Sequence, residues 1–231
     1  MAPSGEILWN RQPVVDPAAA DVVRYGPDIA TEAELRLLGQ VADKRVLELG
    51  CGSGVNSVAL GAQGARPIGL DFSPDCLSGA RRLADRAGIR VEFHEGDLAD
   101  LAFSRADTVD MVFSGYALGL VEDVNRVFRQ VHRVLKSGCP LVFSLPHPTY
   151  DMFDEADQDP AVVTRSYFDT TRIALGSEEP PLFGYHHTVA DLFVGLTRAN
   201  FRVDTILEPE PRAPEAAGWV PRTLIMRARK E

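Results

Sequence analysis

The chain has 231 residues, of which 45% are hydrophobic and 25% are charged, as in globular proteins. This composition excludes a disordered chain, a collagen-like repeat and a small disulfide-stapled protein. The formal net charge of −9 disfavours nucleic acid as a partner, because an acidic surface repels the phosphate backbone.

The cysteines and the N-terminal sequence give expectations about the environment of the protein. The three cysteines cannot all pair and form no CxxC motif, so we expect a reducing, cytoplasmic setting. The N-terminal residues lack a basic stretch followed by an apolar core, and no apolar run reaches the roughly 20 residues of a membrane helix. We therefore expect neither a signal peptide nor a membrane partner.

Residues 1–40 are expected to form an irregular N-terminal cap or lid, because four prolines interrupt the first thirty residues. Trp9 and Tyr25 in this segment suit either packing against the body or contact with a substrate. The sequence Thr31-Glu32-Ala33-Glu34 is a capping box, which predicts a short helix that ends near Gly39.

From Arg45 onwards, short apolar runs alternate with helical segments. The clearest helix carries apolar residues at offsets 0, 3, 4, 7, 10 and 11 from Val124. This alternation is typical of βαβ units, so residues 41–145 are expected to form a parallel sheet covered by helices on both faces. We predict strands at 45–49, 66–70, 89–94, 109–113 and 140–145, and helices at 53–62, 74–87 and 122–136.

The alternation stops after Leu145 and resumes near Thr188. Residues 146–187 contain five prolines and little periodicity, so we expect a substrate-binding insertion or lid. Residues 188–231 are expected to complete the core with one helix, from 188 to 199, and two paired strands, at 201–207 and 222–228.

A glycine-rich turn, Glu48-Leu49-Gly50-Cys51-Gly52-Ser53-Gly54, follows the first predicted strand. Glycine permits a sharp turn and lets a ligand approach bare peptide, and the following helix N-terminus attracts negative charge. A GxGxxG dinucleotide fingerprint from Gly50 would need glycine at Val55, so a nicotinamide-dependent oxidoreductase is the weaker interpretation.

Acids end two further strands, at Asp71 and Asp97, and Ser114-Gly115-Tyr116 follows the fourth strand. With the glycine turn, these features resemble the class I S-adenosylmethionine-dependent methyltransferases, specifically their small-molecule, type 11-like group, most strongly over residues 45–148. The resemblance implies an α/β fold with a Rossmann-like seven-stranded sheet, mostly parallel with an antiparallel C-terminal strand, and helices on both faces. It also implies the cofactor S-adenosyl-L-methionine and the product S-adenosyl-L-homocysteine.

The resemblance implies cofactor contacts by position. A carboxylate at Asp71 suits the two ribose hydroxyls, although the same side chain could cap the next helix. Asp97 would accept a hydrogen bond from the adenine amino group beside the Leu98 amide, with a surface-loop role as the alternative. Phe72 would lie beside the adenine or pack in the core. The expected cofactor-binding residues are Glu48, Gly50, Gly52, Gly54, Asp71, Phe72, Asp97, Leu98 and Ser114.

Candidate residues for the methyl acceptor lie after the fifth strand and in the insertion. His147, which stands between two prolines, would serve as a general base or anchor the loop by a hydrogen bond. His186 is the second candidate base. The sequence Tyr185-His186-His187-Thr188 resembles a Tyr-His-Arg-Thr run of the group, with His187 in place of arginine. The expected substrate-binding residues are Tyr116, Tyr150, Tyr167 and His187.

The sequence thus predicts a methyltransferase for a small-molecule metabolite, with in-line transfer to an oxygen, nitrogen, sulfur or carbon nucleophile. The alternative is a protein of this fold that binds the cofactor without transferring methyl, as a cyclase-like or regulatory protein. The strand ends lack the acids that would hold magnesium, and the histidines lack further zinc ligands, so no metal is expected. We expect a monomer or a homodimer.

Overall fold

The computed structural model describes residues 8–153, 162–175, 181–212 and 220–231. Its strands are β1 (Arg45–Leu49), β2 (Arg66–Asp71), β3 (Glu92–Glu95), β4 (Met111–Gly115), β5 (Pro140–Pro146), β6 (Ile173–Leu175), β7 (Leu182–Gly184), β8 (Phe201–Leu207) and β9 (Thr223–Lys230). Its α-helices are α1 (Glu32–Leu35), α2 (Val55–Ala62), α3 (Pro74–Ala87), α4 (Val124–Val134) and α5 (Val189–Arg198). Short 3-10 helices lie at Trp9–Arg11, Pro17–Ala20, Ala117–Leu120 and Tyr150–Met152.

Seven of the strands form one sheet, in the order β3-β2-β1-β4-β5-β9-β8. The first five strands pair in parallel, whereas β9 runs antiparallel to both of its neighbours, β5 and β8. The strand order reverses at β1 and β4, so the loops that follow these two strands diverge and leave a crevice at their carboxyl ends. The predicted Rossmann-like, mostly parallel sheet with an antiparallel C-terminal strand is confirmed.

Successive residues of the central strands point alternately into two hydrophobic layers, one on each face of the sheet. Leu47 of β1 packs in the layer that contains Phe128 of α4 and Leu192 of α5. The adjacent residue, Val46, packs in the opposite layer with α2 and the N-terminal segment. Both faces of the parallel sheet are therefore covered, as its apolar strands require.

Tyr25 belongs to the second of these layers and is fully buried. Its hydroxyl donates a hydrogen bond to Glu32, whose carboxylate also accepts the backbone amides of Leu37 and Leu38, each at 2.9 Å. Of the two roles that the sequence allows for Tyr25, the structure therefore supports packing against the body.

Several boundaries differ from the predicted ones, among them β4, which runs from Met111 to Gly115 rather than over 109–113, and two of the differences have local reasons. β3 begins at Glu92 rather than at residue 89, because its pairing with β2 starts where Glu92 lies opposite Ile68. α4 begins at Val124 rather than at residue 122, because the side chain of Asp123 accepts a first-turn amide at 2.9 Å and caps the helix there.

The 146–187 insertion contains an antiparallel hairpin, β6–β7, that the sequence pattern did not predict. Ile173 and Leu175 of this hairpin pack with Leu120, and the amide of Tyr185 donates to the carbonyl of Gly119 at 2.8 Å. The hairpin therefore lies beside the segment that follows β4. The lid roles assigned to residues 1–40 and 146–187 stay predictions.

Candidate active site

A cavity of about 300 Å³ opens at the carboxyl ends of β1, β2 and β4. This is the crevice at which ligands bind in open α/β sheets. Several of the predicted cofactor residues are among the residues that line it, which are Asn10, Arg11, Gly50, Asp71, Phe72, Asp97, Leu98, Ala117, Leu120 and Val121.

The three glycines of the turn all have left-handed backbone conformations, with φ of 69° at Gly50, 52° at Gly52 and 81° at Gly54. Neighbours approach all three closely. A Cβ atom at Gly50 would lie 2.1 Å from the Cβ of Ala117, and one at Gly54 would lie 2.7 Å from the Cβ of Ala80. The turn therefore needs glycine for its conformation and for its packing.

Asp71 ends β2 at the wall of the cavity and is only 2% exposed. One carboxylate oxygen accepts the amide of Gly52 at 2.9 Å, and the other accepts the amide of Ser73 at 2.9 Å. The same carboxylate lies 3.5 Å from the guanidinium of Arg11. Asp71 thus both holds the glycine turn and presents a carboxylate to the cavity.

The neighbouring wall of the cavity is aromatic and apolar. Phe72 is 46% exposed, and the guanidinium of Arg11 lies over its ring at 4.6 Å from the centroid. Across the cavity, Leu98 is buried and the carboxylate of Asp97 accepts the amide of Ala99 at 2.8 Å. Such a site offers a flat apolar surface with carboxylates at two of its edges, which suits a nucleoside.

Glu48 and Ser114 lie behind the cavity wall and hold the strands together. Ser114 donates from its hydroxyl to the carbonyl of Leu49 at 2.9 Å, which links β4 to β1. Glu48 is fully buried and accepts hydrogen bonds from Ser57 and Asn56 of α2. Burial raises the pKa of Glu48 to about 8, although these hydrogen bonds oppose the shift.

Asn10, which the sequence pattern does not indicate, makes three hydrogen bonds to the glycine turn and one to Gly115 at the end of β4. Its side-chain amide donates to the carbonyls of Gly50 and Gly115, at 2.8 and 2.9 Å. The backbone carbonyl of Asn10 accepts hydrogen bonds from the amide of Ser53 at 2.9 Å and from the hydroxyl of Ser53 at 3.1 Å. No local sequence signal could have found these contacts, because the partners lie 40 to 105 residues away along the chain.

His147 is buried at the end of β5 with both ring nitrogens engaged. Nδ1 lies 2.7 Å from the hydroxyl of Thr149, and Nε2 lies 2.9 Å from the carboxylate of Glu208. Burial lowers the pKa of His147, and Glu208 partly opposes that shift. These contacts favour the loop-anchor role over the role of general base.

His186 is buried beside Asp151, with its Nδ1 atom 2.9 Å from the Oδ2 atom of that residue. The other ring nitrogen, Nε2, and the other carboxylate oxygen of Asp151 are also buried, and neither has a hydrogen-bond partner within the described part of the chain. The ring of Tyr167 packs edge-on against the imidazole, with centroids 5.5 Å apart. A buried polar atom without a partner is costly, so a hydrogen-bonding group brought beside this pair would stabilise it.

The remaining predicted substrate residues lie around the same end of the sheet. Tyr116 is fully buried, with its hydroxyl bonded to Thr223 and its ring 6.0 Å from that of Trp9. His187 bonds through Nε2 to the carbonyl of Val121, a cavity residue, at 2.8 Å. Tyr150 lies under the guanidinium of Arg222, 4.7 Å from the ring centroid.

A parallel sheet with a glycine turn after β1 and a buried acid at the end of β2, both at one cavity, is the arrangement of a Rossmann-like nucleotide-binding fold. A family model described as a methyltransferase domain matches residues 46–138. A demethylmenaquinone methyltransferase from Clavibacter sepedonicus is 39% identical over 118 residues, which are 49% of this chain and 47% of that protein.

Solved structures match over a larger share of the chain. An S-adenosylmethionine-dependent methyltransferase from Mesorhizobium loti aligns with a TM-score of 0.70 and 27% identity, over 86% of this chain and 96% of that one. A structure from Listeria monocytogenes assigned to the same class aligns with a TM-score of 0.73 and 25% identity, over 87% and 97%. Residues 46–138 thus match a methyltransferase domain, and most of the chain is similar in fold to S-adenosylmethionine-dependent methyltransferases. It spans about half the length of the curated relatives that it matches.

Among the described residues, neither a metal-binding cluster nor a membrane-spanning helix is present. These residues contain no group of three or more histidine, cysteine or acidic side chains that could hold a metal ion. They also contain no helix with the length and apolar composition to cross a bilayer.

Proposed function

We propose that this protein transfers the methyl group of S-adenosyl-L-methionine to a small-molecule acceptor. The observation that carries the proposal is the buried carboxylate of Asp71, which faces the cavity beside the exposed ring of Phe72. A carboxylate accepts hydrogen bonds from two adjacent hydroxyls, as ribose requires, and an aromatic ring provides a surface for adenine.

The residues present fit both halves of the cofactor. Asp71, Phe72, Asp97 and Leu98 would hold the nucleoside half. Two carbonyls, at Gly50 and Gly115, and the amide and hydroxyl of Ser53 would pair with an ammonium and a carboxylate, the two charged groups of the amino-acid half. When bound, the cofactor supplies a methyl group already activated by its sulfonium, so the protein contributes alignment and exclusion of water.

On the acceptor side, we propose His186 as the general base and Asp151 as the residue that positions it. A hydrogen on Nδ1, held by Asp151, leaves Nε2 as a proton acceptor, and this atom has no other partner within the described residues. His147 has neither nitrogen available in this arrangement. A base is needed when the acceptor is a hydroxyl or a protonated amine, which holds its proton at neutral pH.

Tyr116, Tyr150, Tyr167 and His187 are proposed to shape the acceptor site. Support for a small acceptor comes from the Clavibacter relative, which is named for demethylmenaquinone, and from a relative in Hahella chejuensis, which is named for O-methylation in ubiquinone biosynthesis. The net charge of −9 further disfavours nucleic acid, and the free cysteines suit a cytoplasmic location. A monomer or a homodimer remains our proposal for the assembly.

Calorimetry with S-adenosyl-L-homocysteine tests the cofactor assignment. We expect Asp71→Asn to weaken binding by about 1–3 kcal/mol, because one ribose hydroxyl loses a charged acceptor. Asp85→Asn, an exposed acid on α3, is the matched control and should leave the affinity unchanged. Equal affinities of wild type and Asp71→Asn would remove Asp71 from the ribose site.

A metabolite screen then separates methyl transfer from cofactor binding alone. Methyl transfer predicts an acceptor whose mass increases by one methyl group while S-adenosyl-L-homocysteine is released. Tight cofactor binding without product release from any candidate acceptor would favour the cyclase-like or regulatory alternative.

A further inference from the structure

The segment Trp9–Arg11, here called the N-terminal plug, lies at the mouth of the cavity. We propose that it is an internal ligand of the cofactor site, which the amino-acid half of S-adenosylmethionine must displace in order to bind. This inference rests on the proposed function, because it concerns the regulation of the same site.

Asn10 satisfies the polar groups of the glycine turn as the amino-acid half of the cofactor would. Its amide nitrogen donates to Gly50 and Gly115, two carbonyls that converge on one nitrogen atom at 2.8 and 2.9 Å. Its carbonyl accepts two hydrogen bonds from Ser53. One residue thus presents N–H donors to the two carbonyls and a backbone carbonyl to Ser53, where an ammonium and a carboxylate would otherwise pair.

Asn10 also fills the space next to the turn. Its carbonyl oxygen lies 2.2 Å from the position that a Cβ atom on Gly52 would occupy. A backbone this close leaves no room for a second group between Asn10 and the turn. Asn10 and a methionine head group therefore cannot occupy these contacts at the same time.

The two residues beside Asn10 hold the plug in place. Arg11 is 3.5 Å from the Asp71 carboxylate and lies over Phe72, and its side chain is 18% exposed. Trp9 packs its ring against the buried ring of Tyr116. Arg11 makes the weaker contact with the cofactor site, because 3.5 Å is long for a hydrogen bond and the side chain is flexible.

The plug therefore affects the two halves of the site differently. The amino-acid half is filled by Asn10, whereas the nucleoside half at Phe72, Asp97 and Leu98 borders the open cavity. A nucleoside without an amino-acid tail needs only the Arg11 side chain to move off Phe72, while Asn10 keeps its contacts with the turn. S-Adenosyl-L-homocysteine should bind only to molecules in which the plug has moved, so its apparent affinity is reduced by the fraction that is open.

Calorimetry with two ligands tests this inference, using S-adenosyl-L-homocysteine and 5′-methylthioadenosine, which lacks the amino acid. We expect Asn10→Ala to bind S-adenosyl-L-homocysteine about tenfold more tightly than wild type, which corresponds to a plug that is closed in about nine molecules of ten. Its affinity for 5′-methylthioadenosine should stay within about twofold. Gln12→Ala, an exposed residue that follows the plug directly, is the matched control and should match wild type for both ligands.

The possible outcomes separate this inference from the proposed function. If wild type binds S-adenosyl-L-homocysteine and Asn10→Ala binds it with equal or lower affinity, the inference is wrong. An equal affinity would mean that Asn10 does not compete with the ligand, and a lower affinity would mean that Asn10 contacts the bound ligand. Absence of binding of both ligands to wild type and variants would overturn the proposed function and the plug with it.

Trp9 gives a second measurement that does not depend on substituting the plug. The chain has two tryptophans, so Trp219→Phe leaves Trp9 as the only tryptophan reporter. We expect S-adenosyl-L-homocysteine to shift the emission of Trp9 to longer wavelength as the plug enters water, and 5′-methylthioadenosine to leave it unchanged. If the Trp9 emission is the same in the complex with S-adenosyl-L-homocysteine as in the complex with 5′-methylthioadenosine, the plug is not displaced.

Discussion

The Nδ1 atom of His186 lies 2.9 Å from the Oδ2 atom of Asp151, and this contact joins two segments of the insertion that are 35 residues apart. The side chains of the two residues are 1% and 9% exposed. A carboxylate at Nδ1 fixes the ring orientation and places the hydrogen on that nitrogen, so Nε2 is left as a proton acceptor. This is the arrangement that a general base requires.

The first prediction compares the two candidate bases. With an acceptor that carries a hydroxyl, His186→Gln should lower kcat at least tenfold, because general-base assistance contributes about 100- to 10,000-fold. His147→Gln should lower kcat less, since both nitrogens of His147 already have partners. Release of S-adenosyl-L-homocysteine measures both rates. The reverse order of the two losses would restore His147 as the base.

The second prediction concerns Asp151 as a positioning residue. Asp151→Asn removes the carboxylate that holds the Nδ1 hydrogen of His186, so kcat should fall while the KM for the cofactor stays unchanged. Asp151→Glu should recover part of the lost rate. Equal losses of kcat in Asp151→Asn and Asp151→Glu, with a raised KM for the cofactor in both, would indicate that Asp151 serves only to fold the insertion.

The sequence pattern predicts the elements between Arg45 and Pro146 well, because their strands and helices follow local periodicity. The β6–β7 hairpin has strands of three residues, which are too short to show an alternation. At the site, the resemblance to the methyltransferases predicts acids at the ends of the second and third strands, and Asp71 and Asp97 lie at these ends of β2 and β3. Asn10 and Asp151 could not be predicted, because their roles depend on partners that the tertiary fold brings near.

The third prediction uses the pKa of Glu48, which burial raises from 4.5 to about 8. Between these values, the folded protein holds a proton on Glu48 that the unfolded chain releases. The free energy of unfolding should therefore fall as pH rises from about 5 to 8, by up to about 1.4 kcal/mol per pH unit from this group. Denaturant unfolding of wild type and Glu48→Gln at several pH values measures the difference.

Glu48→Gln keeps an acceptor for Ser57 and Asn56 but does not titrate, so its unfolding free energy should depend less on pH in this range. The unfolding free energy of Glu48→Gln minus that of wild type should increase as the pH rises towards 8. Parallel curves for the two proteins would mean that Glu48 is ionised in the folded state throughout.

The fourth prediction concerns His147, whose pKa is lowered by burial. Below its unfolded pKa of about 6.5, the unfolded chain binds a proton that the folded state takes up only at lower pH, so stability should fall as pH falls through this region. His147→Gln should reduce this acid sensitivity while keeping a polar side chain near Thr149 and Glu208. Denaturant unfolding at pH 5 and pH 7.5 measures how much the unfolding free energy of each protein falls on acidification. An equal fall in wild type and His147→Gln would exclude His147 as a cause of the acid sensitivity.

The last prediction separates the two reasons for glycine in the turn after β1. Gly54 has φ of 81°, and a Cβ atom there would lie 2.7 Å from the Cβ and 3.0 Å from the Cα of Ala80 on α3. Gly88, at the end of that helix, has φ of 66° but no atom within 4 Å of the same position. Alanine at either site carries a left-handed strain of about 1–2 kcal/mol.

Gly54→Ala should therefore cost more than Gly88→Ala by about 1–3 kcal/mol, the range for overpacking against atoms that cannot turn away. It should also weaken binding of S-adenosyl-L-homocysteine, because the turn must move away from α3 to admit the methyl group, whereas Gly88→Ala should leave binding unchanged. Denaturant unfolding and calorimetry on the same two variants measure both effects. Equal losses of stability would mean that the turn separates from α3 at little cost, and that conformation alone requires the glycine at Gly54.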